Sequence, residues 1–103
     1  MSNILKNPPT LAELRARRNE ILKLAEQHGA YNVRVFGSVA RGEAAPDSDI
    51  DFLVDVKPET SIFELVGLWL DLKDLLEREV SLSTDEGLEG RFKSNVERDA
   101  VTL

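Results

Sequence analysis

The chain has no cysteine, and its 103 residues include a single histidine, methionine, tryptophan and tyrosine. Without thiols there can be no disulfide, no thiolate chemistry and no cysteine-ligated zinc. No apolar run approaches the ~20 residues that a membrane-spanning helix needs. The segment from Met1 to Pro9 lacks the basic and long apolar regions of a signal peptide. A cytoplasmic protein with no membrane partner is therefore expected. Basic residues are also scarce: 13 Lys and Arg against 19 Asp and Glu give a net charge of −6 and a pI near 4.8. That balance argues against direct nucleic-acid binding, although a nucleotide needs only a local cation. It also suits pairing with a basic protein. At 42% apolar and 31% charged residues the composition is that of an ordinary folded protein. Its length accommodates one domain, expected to span residues 1–103 with residues 1–9 as an extended lead.

Periodicity and capping signals give the order of elements. Thr10 with Glu13 forms a capping box for a helix running to about His28, with Gly29 as its stop. Leu11, Leu14, Ile21, Leu24 and Ala25 supply its apolar stripe, and Arg15, Arg17 and Arg18 fall on or near the outer side. His28 reads as a helix C-terminal cation rather than a catalyst. Tyr31 to Phe36 predicts a first strand, Ser38 to about Gly42 a short helical turn, and Asp49 to Val56 a second strand. Ser61 with Glu64 opens a helix to about Arg78, with Ile62, Leu65, Val66, Trp69, Leu72, Leu75 and Leu76 at helical spacing. Trp69 belongs to its core or to a partner-binding face. Glu79 to Ser83 predicts a third strand, and Ser83 with Glu86 a cap for a last helix through about Arg98. Alternating strands and helices imply an α/β (α+β) fold, a small mixed sheet with helices mainly on one face.

The informative stretch is VFGSVARGEAAPDSDIDFLV, in which Gly37-Ser38 is followed by ten residues and then Asp49-Ile50-Asp51. Alternation along a strand projects Asp49 and Asp51 together, while Ile50, Phe52 and Val54 point the other way. Two adjacent carboxylates repel unless a cation lies between them. Gly37 offers a turn with no Cβ to hold a phosphate off the backbone, and Ser38 adds a hydroxyl where helical N–H groups are unpaired. Together they predict a site for a metal-bound nucleoside triphosphate, with Asp49 and Asp51 as ligands of Mg²⁺. Arg41 stands close enough to reach a β- or γ-phosphate, and Gly42 ends the short turn at positive φ. Ser48 orients either the Pro46-Asp47-Ser48 turn or a carboxylate, and Asp47 and Asp55 read as solvated residues.

Gly-Ser, ten residues, Asp-x-Asp, with Ala40-Arg41-Gly42 inside the gap, resembles the nucleotidyltransferase superfamily of DNA polymerase β. The length narrows the resemblance to the minimal nucleotidyltransferases, the antitoxin halves of toxin–antitoxin pairs with small helical HEPN proteins. It covers the chain from about Leu11 onward, and the motif core is its specific part. It implies a polymerase β palm-like fold, ATP as substrate with Mg²⁺, and transfer of AMP to a tyrosine hydroxyl of a cognate HEPN ribonuclease toxin in a hetero-oligomer.

Members of that family carry a third carboxylate on the neighbouring strand, where Val80-Ser81-Leu82 stands here. Serine supplies neither the charge nor the proton acceptance. Glu79 on the same strand face then substitutes in part, or two carboxylates work with water as proton acceptor. The third alternative is a catalytically impaired antitoxin that neutralises the toxin by direct binding, its nucleotide site vestigial.

Overall fold

The computed structural model describes residues 7–85 and 90–103, with backbone alone at 90–93. One four-stranded mixed sheet organises them, in the order β3-β2-β1-β4. Its strands are β1 (Ala30–Phe36), β2 (Ile50–Val56), β3 (Val80–Thr84) and β4 (Val101–Thr102). β1 runs antiparallel to β2 and to β4, whereas β2 and β3 are parallel. The parallel pair needs a long crossover, supplied by helix α4 (Ile62–Leu76). The other helices are α1 (Leu11–Ala16), α2 (Arg18–Gln27), α3 (Gly37–Arg41) and α5 (Gly90–Asp99).

The expected continuous first helix is two. Thr10 Oγ1 accepts from Glu13 N at 3.1 Å as its cap signal requires, but the helix breaks at Arg17, where φ is −112° and ψ 21°. Arg17 lies near the outer side as expected, partly exposed, but it also has a tertiary partner. Its guanidinium donates to Leu75 O at 2.8 Å and pairs with Glu20, tying the break to the end of α4. Gly29 ends α2 at φ +79°. Ser61 Oγ caps α4 by accepting from Glu64 N at 3.4 Å, and the helix ends at Glu77 in the left-handed region. Ser83 lies inside β3, and Glu86, its expected partner in a cap for the last helix, falls outside the described residues. The segment of the N-terminal lead before Asn7 also falls outside them.

Ile50, Phe52 and Val54 of β2 are buried on one face with Val33 and Val35 of β1, under Leu14, Ile21 and Ala25 of α1–α2 and Leu68 and Leu72 of α4. Burying each such side chain is worth about 1.5–3 kcal/mol. This is the expected helical layer. The opposite face has a smaller cover, where Phe36 and Leu53 pack against Val96 of α5. On β1 the alternation is interrupted by a bulge between Tyr31 and Arg34, with Asn32 at φ 51° and its amide donating to Asp55 Oδ2 at 2.9 Å. Asp55 is therefore not a solvated acid. It also accepts from Arg34 Nη2 at 2.7 Å.

Candidate active site

The end of β1, the turn into α3 and the start of β2 meet at one point. Phe36 is the register partner of Asp51, so the chain turns at Gly37 directly beside that carboxyl. Gly37 has φ +74°, a conformation that a side chain disfavours. A Cβ built there would collide with Asp51 Oδ2 and lie 3.2 Å from its Cγ. The glycine is thus required twice, once by its backbone and once by its neighbour. Ser38 follows inside α3, and Gly42 closes that helix at φ +74° as expected.

Asp51 is half-buried, and burial together with the charge of Asp49 pushes its carboxyl above the usual carboxylate range, while Arg41 pulls it back. Asp49 immediately precedes β2 and is exposed. A partly buried like-charge pair of hard oxygen donors is the arrangement a divalent cation relieves. Among the described residues no cluster of three or more His, Asp or Glu surrounds it, so a cation there would complete its shell with water and phosphate oxygens.

On the other side of Asp51, its register partner across the parallel pair is Ser81. The position of the expected third carboxylate is therefore adjacent to Asp51, and it is a hydroxyl. Glu79 precedes β3. Its carboxylate is largely exposed and ion-paired with Lys73 at 3.4 Å, and its carbonyl accepts from Ile50 N. Arg41 is held by Glu43 at 2.9 Å and Asp99 at 2.8 Å. Ser48 shapes the turn: its Oγ accepts from Ala45 N at 2.8 Å, and its N–H returns to Ala45 O.

Sequence reading missed a groove of about 690 Å³ between α4 and the outer side of β3, running up to Asp49. Its walls include Ile62, Leu65, Val66 and Trp69. Helical spacing alone groups them with the core-facing residues of α4, but the buried stripe centres on Leu68 and Leu72, and Trp69 both packs against that core and lines the groove. The available signal was the width of the stripe: α4 is apolar around more of its circumference than one buried face needs. Trp69 is half-buried, donates from Nε1 to Val80 O at 2.6 Å and lies under Lys73.

Residues 18–103 match the nucleotidyltransferase domain model. The chain belongs to that family and is a nucleotidyltransferase, on the minimal branch related to protein adenylyltransferases. The protein adenylyltransferase MntA of Thermococcus cleftensis is 37% identical over 79 residues, covering 77% of this chain and 80% of the relative. A solved structure described as a candidate minimal nucleotidyltransferase superposes with a TM-score of 0.82 at 44% identity, covering 92% of this chain and 97% of that one. A tri-AMPylated HEPN toxin of Shewanella oneidensis in complex with its MNT antitoxin matches with a TM-score of 0.65 over 85% of this chain and 69% of that one. At 19% identity that likeness shows the fold alone. No described helix is long and apolar enough to cross a membrane.

Proposed function

We propose that the whole chain, acting as one domain, transfers AMP from ATP to a hydroxyl, most simply a tyrosine, of a HEPN-type toxin partner in a hetero-oligomer. The observation that carries this reading is the Asp51 carboxyl wedged between the Gly37 turn and Ser81 on the neighbouring strand. Gly37 and Ser38 present backbone N–H groups and a hydroxyl to the β- and γ-phosphates. Arg41, whose charge already reaches Asp51, adds to that anion site, and Ser48 keeps the loop before Asp49 in shape. Asp49 and Asp51 would hold Mg²⁺, which supplies Lewis-acid activation of the α-phosphate and charge neutralisation of the pyrophosphate. The acceptor oxygen bonds to the α-phosphorus, the bond to pyrophosphate breaks, and the hydroxyl proton passes to solvent water. Ser81 cannot take it, and Glu79 is engaged with Lys73. The HEPN partner is supported by the fold shared with the MNT antitoxin complex and by the acidic charge of this chain.

Ser81 favours a second reading, in which the protein binds nucleotide and masks the toxin without turnover. Transfer of α-labelled AMP from ATP to the partner decides between them. The transferase reading expects labelled partner with the natural protein and none with Asp51→Asn. Undiminished labelling by that variant overturns the assignment of Asp51.

A further inference from the structure

The backbone of β3 has one side paired and one side open. Ile50 N donates to Glu79 O, so residues 79, 81 and 83 turn their backbone groups toward β2, and Val80 and Leu82 turn theirs outward. Val80 O is satisfied by the indole of Trp69. Among the described residues, Leu82 has no partner for its outward N–H and C=O, and no strand lies beyond β3. An uncovered edge of this kind is a template for an added strand.

Beside that edge lies the groove under α4, with Ile62 and Val66 on its wall at 65% and 44% exposure. Soluble proteins seldom leave large apolar side chains contiguous and uncovered without a partner. One end of the groove is Asp49. The phosphate turn at Gly37 is on the β1 side of Asp51, whereas Ser81 and the groove are on the β3 side. In phosphoryl transfer the attacking and leaving oxygens stand roughly in line on opposite faces of the phosphorus. With the leaving pyrophosphate at Gly37, the attacking hydroxyl enters from the β3 side.

We infer that the α4–β3 groove is the acceptor channel. It takes an extended polypeptide segment that adds to the β3 edge through Leu82, lays an apolar side chain against Val66, and presents its hydroxyl beside Asp49 and Asp51. The inference rests on the transferase reading and names how its substrate is held. The chain's net charge of −6, with the carboxylate pair at the catalytic end, selects a segment with basic flanks. Apolar anchors at alternate positions give register, and main-chain hydrogen bonds give affinity without demanding one sequence.

The test uses the full chain, Mg²⁺, ATP and the HEPN-type toxin as acceptor, and measures KM for acceptor and for ATP separately. Ile62→Glu and Val66→Glu alter exposed groove positions, and Leu70→Glu, exposed on α4 outside the groove, is the control. The groove variants are expected to raise the acceptor KM about tenfold and leave the ATP KM within about twofold, as loss of one apolar anchor does. Leu70→Glu should leave both unchanged. Unaltered acceptor KM in the groove variants overturns the proposal, and so does a parallel rise in ATP KM, which would put the nucleoside in the groove. An equal effect of Leu70→Glu overturns it in favour of the outer face of α4. Amide exchange at Leu82 is the independent readout: slowing on acceptor binding supports strand addition, and no change overturns it. Failure of the unaltered protein to modify the toxin is seen before any variant is made, and it strikes the transferase reading itself.

Discussion

The space that a Cβ of Gly37 would fill is occupied by the Asp51 carboxyl. Gly42 shares its φ of +74° but has nothing within 4 Å of its own missing Cβ. The two glycines therefore separate backbone strain from close approach. Gly42→Ala should cost about 1 kcal/mol, the ordinary penalty of a left-handed alanine, and leave transfer largely intact. Gly37→Ala carries the same strain and also displaces Asp51, so it should cost about 2–3 kcal/mol and abolish Mg–ATP binding. Denaturant melts and nucleotide titration of both variants check this.

Asp51 itself is a strained acid. Its folded pKa is raised by burial and by Asp49, so the fold loses stability as pH climbs from the unfolded value near 3.9 through the folded one, and at neutral pH the whole cost is felt. Asp51→Asn should raise the melting temperature of the metal-free protein by a few degrees while removing both transfer and stabilisation by Mg²⁺. Thermal melts with and without Mg²⁺ check both halves.

Ser81→Asp would place a third carboxylate beside Asp51 on the adjoining strand. Without metal the added like charge should lower stability. With Mg²⁺ and ATP it would provide a proton acceptor that Ser81 does not, and kcat should rise by about 10²-fold, the lower end of general-base catalysis. An unchanged or lower kcat would show that the hydroxyl proton is not limiting.

His28 joins α2 to α4 through both ring nitrogens, with Nδ1 2.9 Å from Glu64 Oε1 and Nε2 2.8 Å from Asp71 Oδ2. Two carboxylate acceptors require both nitrogens to donate, which only imidazolium does. The hydrogen bond with Asp71, foremost, and that with Glu64 raise its pKa against a smaller cost of burial. Stability from this clamp is fully present below the unfolded value near 6.5 and is lost as pH rises through the higher folded value. His28→Gln should flatten the stability profile across that window, by about 1 kcal/mol at its acidic side. Urea melts from pH 5 to pH 9 would show it.

Local signals were legible where local chemistry decides the outcome. The caps at Thr10 and Ser61, the stop at Gly29 and the positive φ at Gly42 each follow from one or two residues acting on their own backbone. Spacing and strand alternation also brought Gly37 to Asp51, while the place of Ser81 beside Asp51 came from the family resemblance. The break at Arg17 was not legible: neither glycine nor proline marks it, and its guanidinium finds Leu75 O, 58 residues away. The bulge at Asn32 hid for the same reason, since its partner Asp55 lies on another strand. In α4 the pattern identified an apolar helix but not which apolar residues face the core. Leu68 and Leu72 do, and Ile62 and Val66 are left for the groove.

The most direct measurement is the intact mass of the HEPN-type partner after incubation with this protein, ATP and Mg²⁺, beside an Asp49→Ala control. The partner is expected to gain one or more AMP units, and the control is expected to show no gain. Unchanged mass alongside neutralised toxin would contradict the transferase reading and leave a nucleotide-site fold that works by binding.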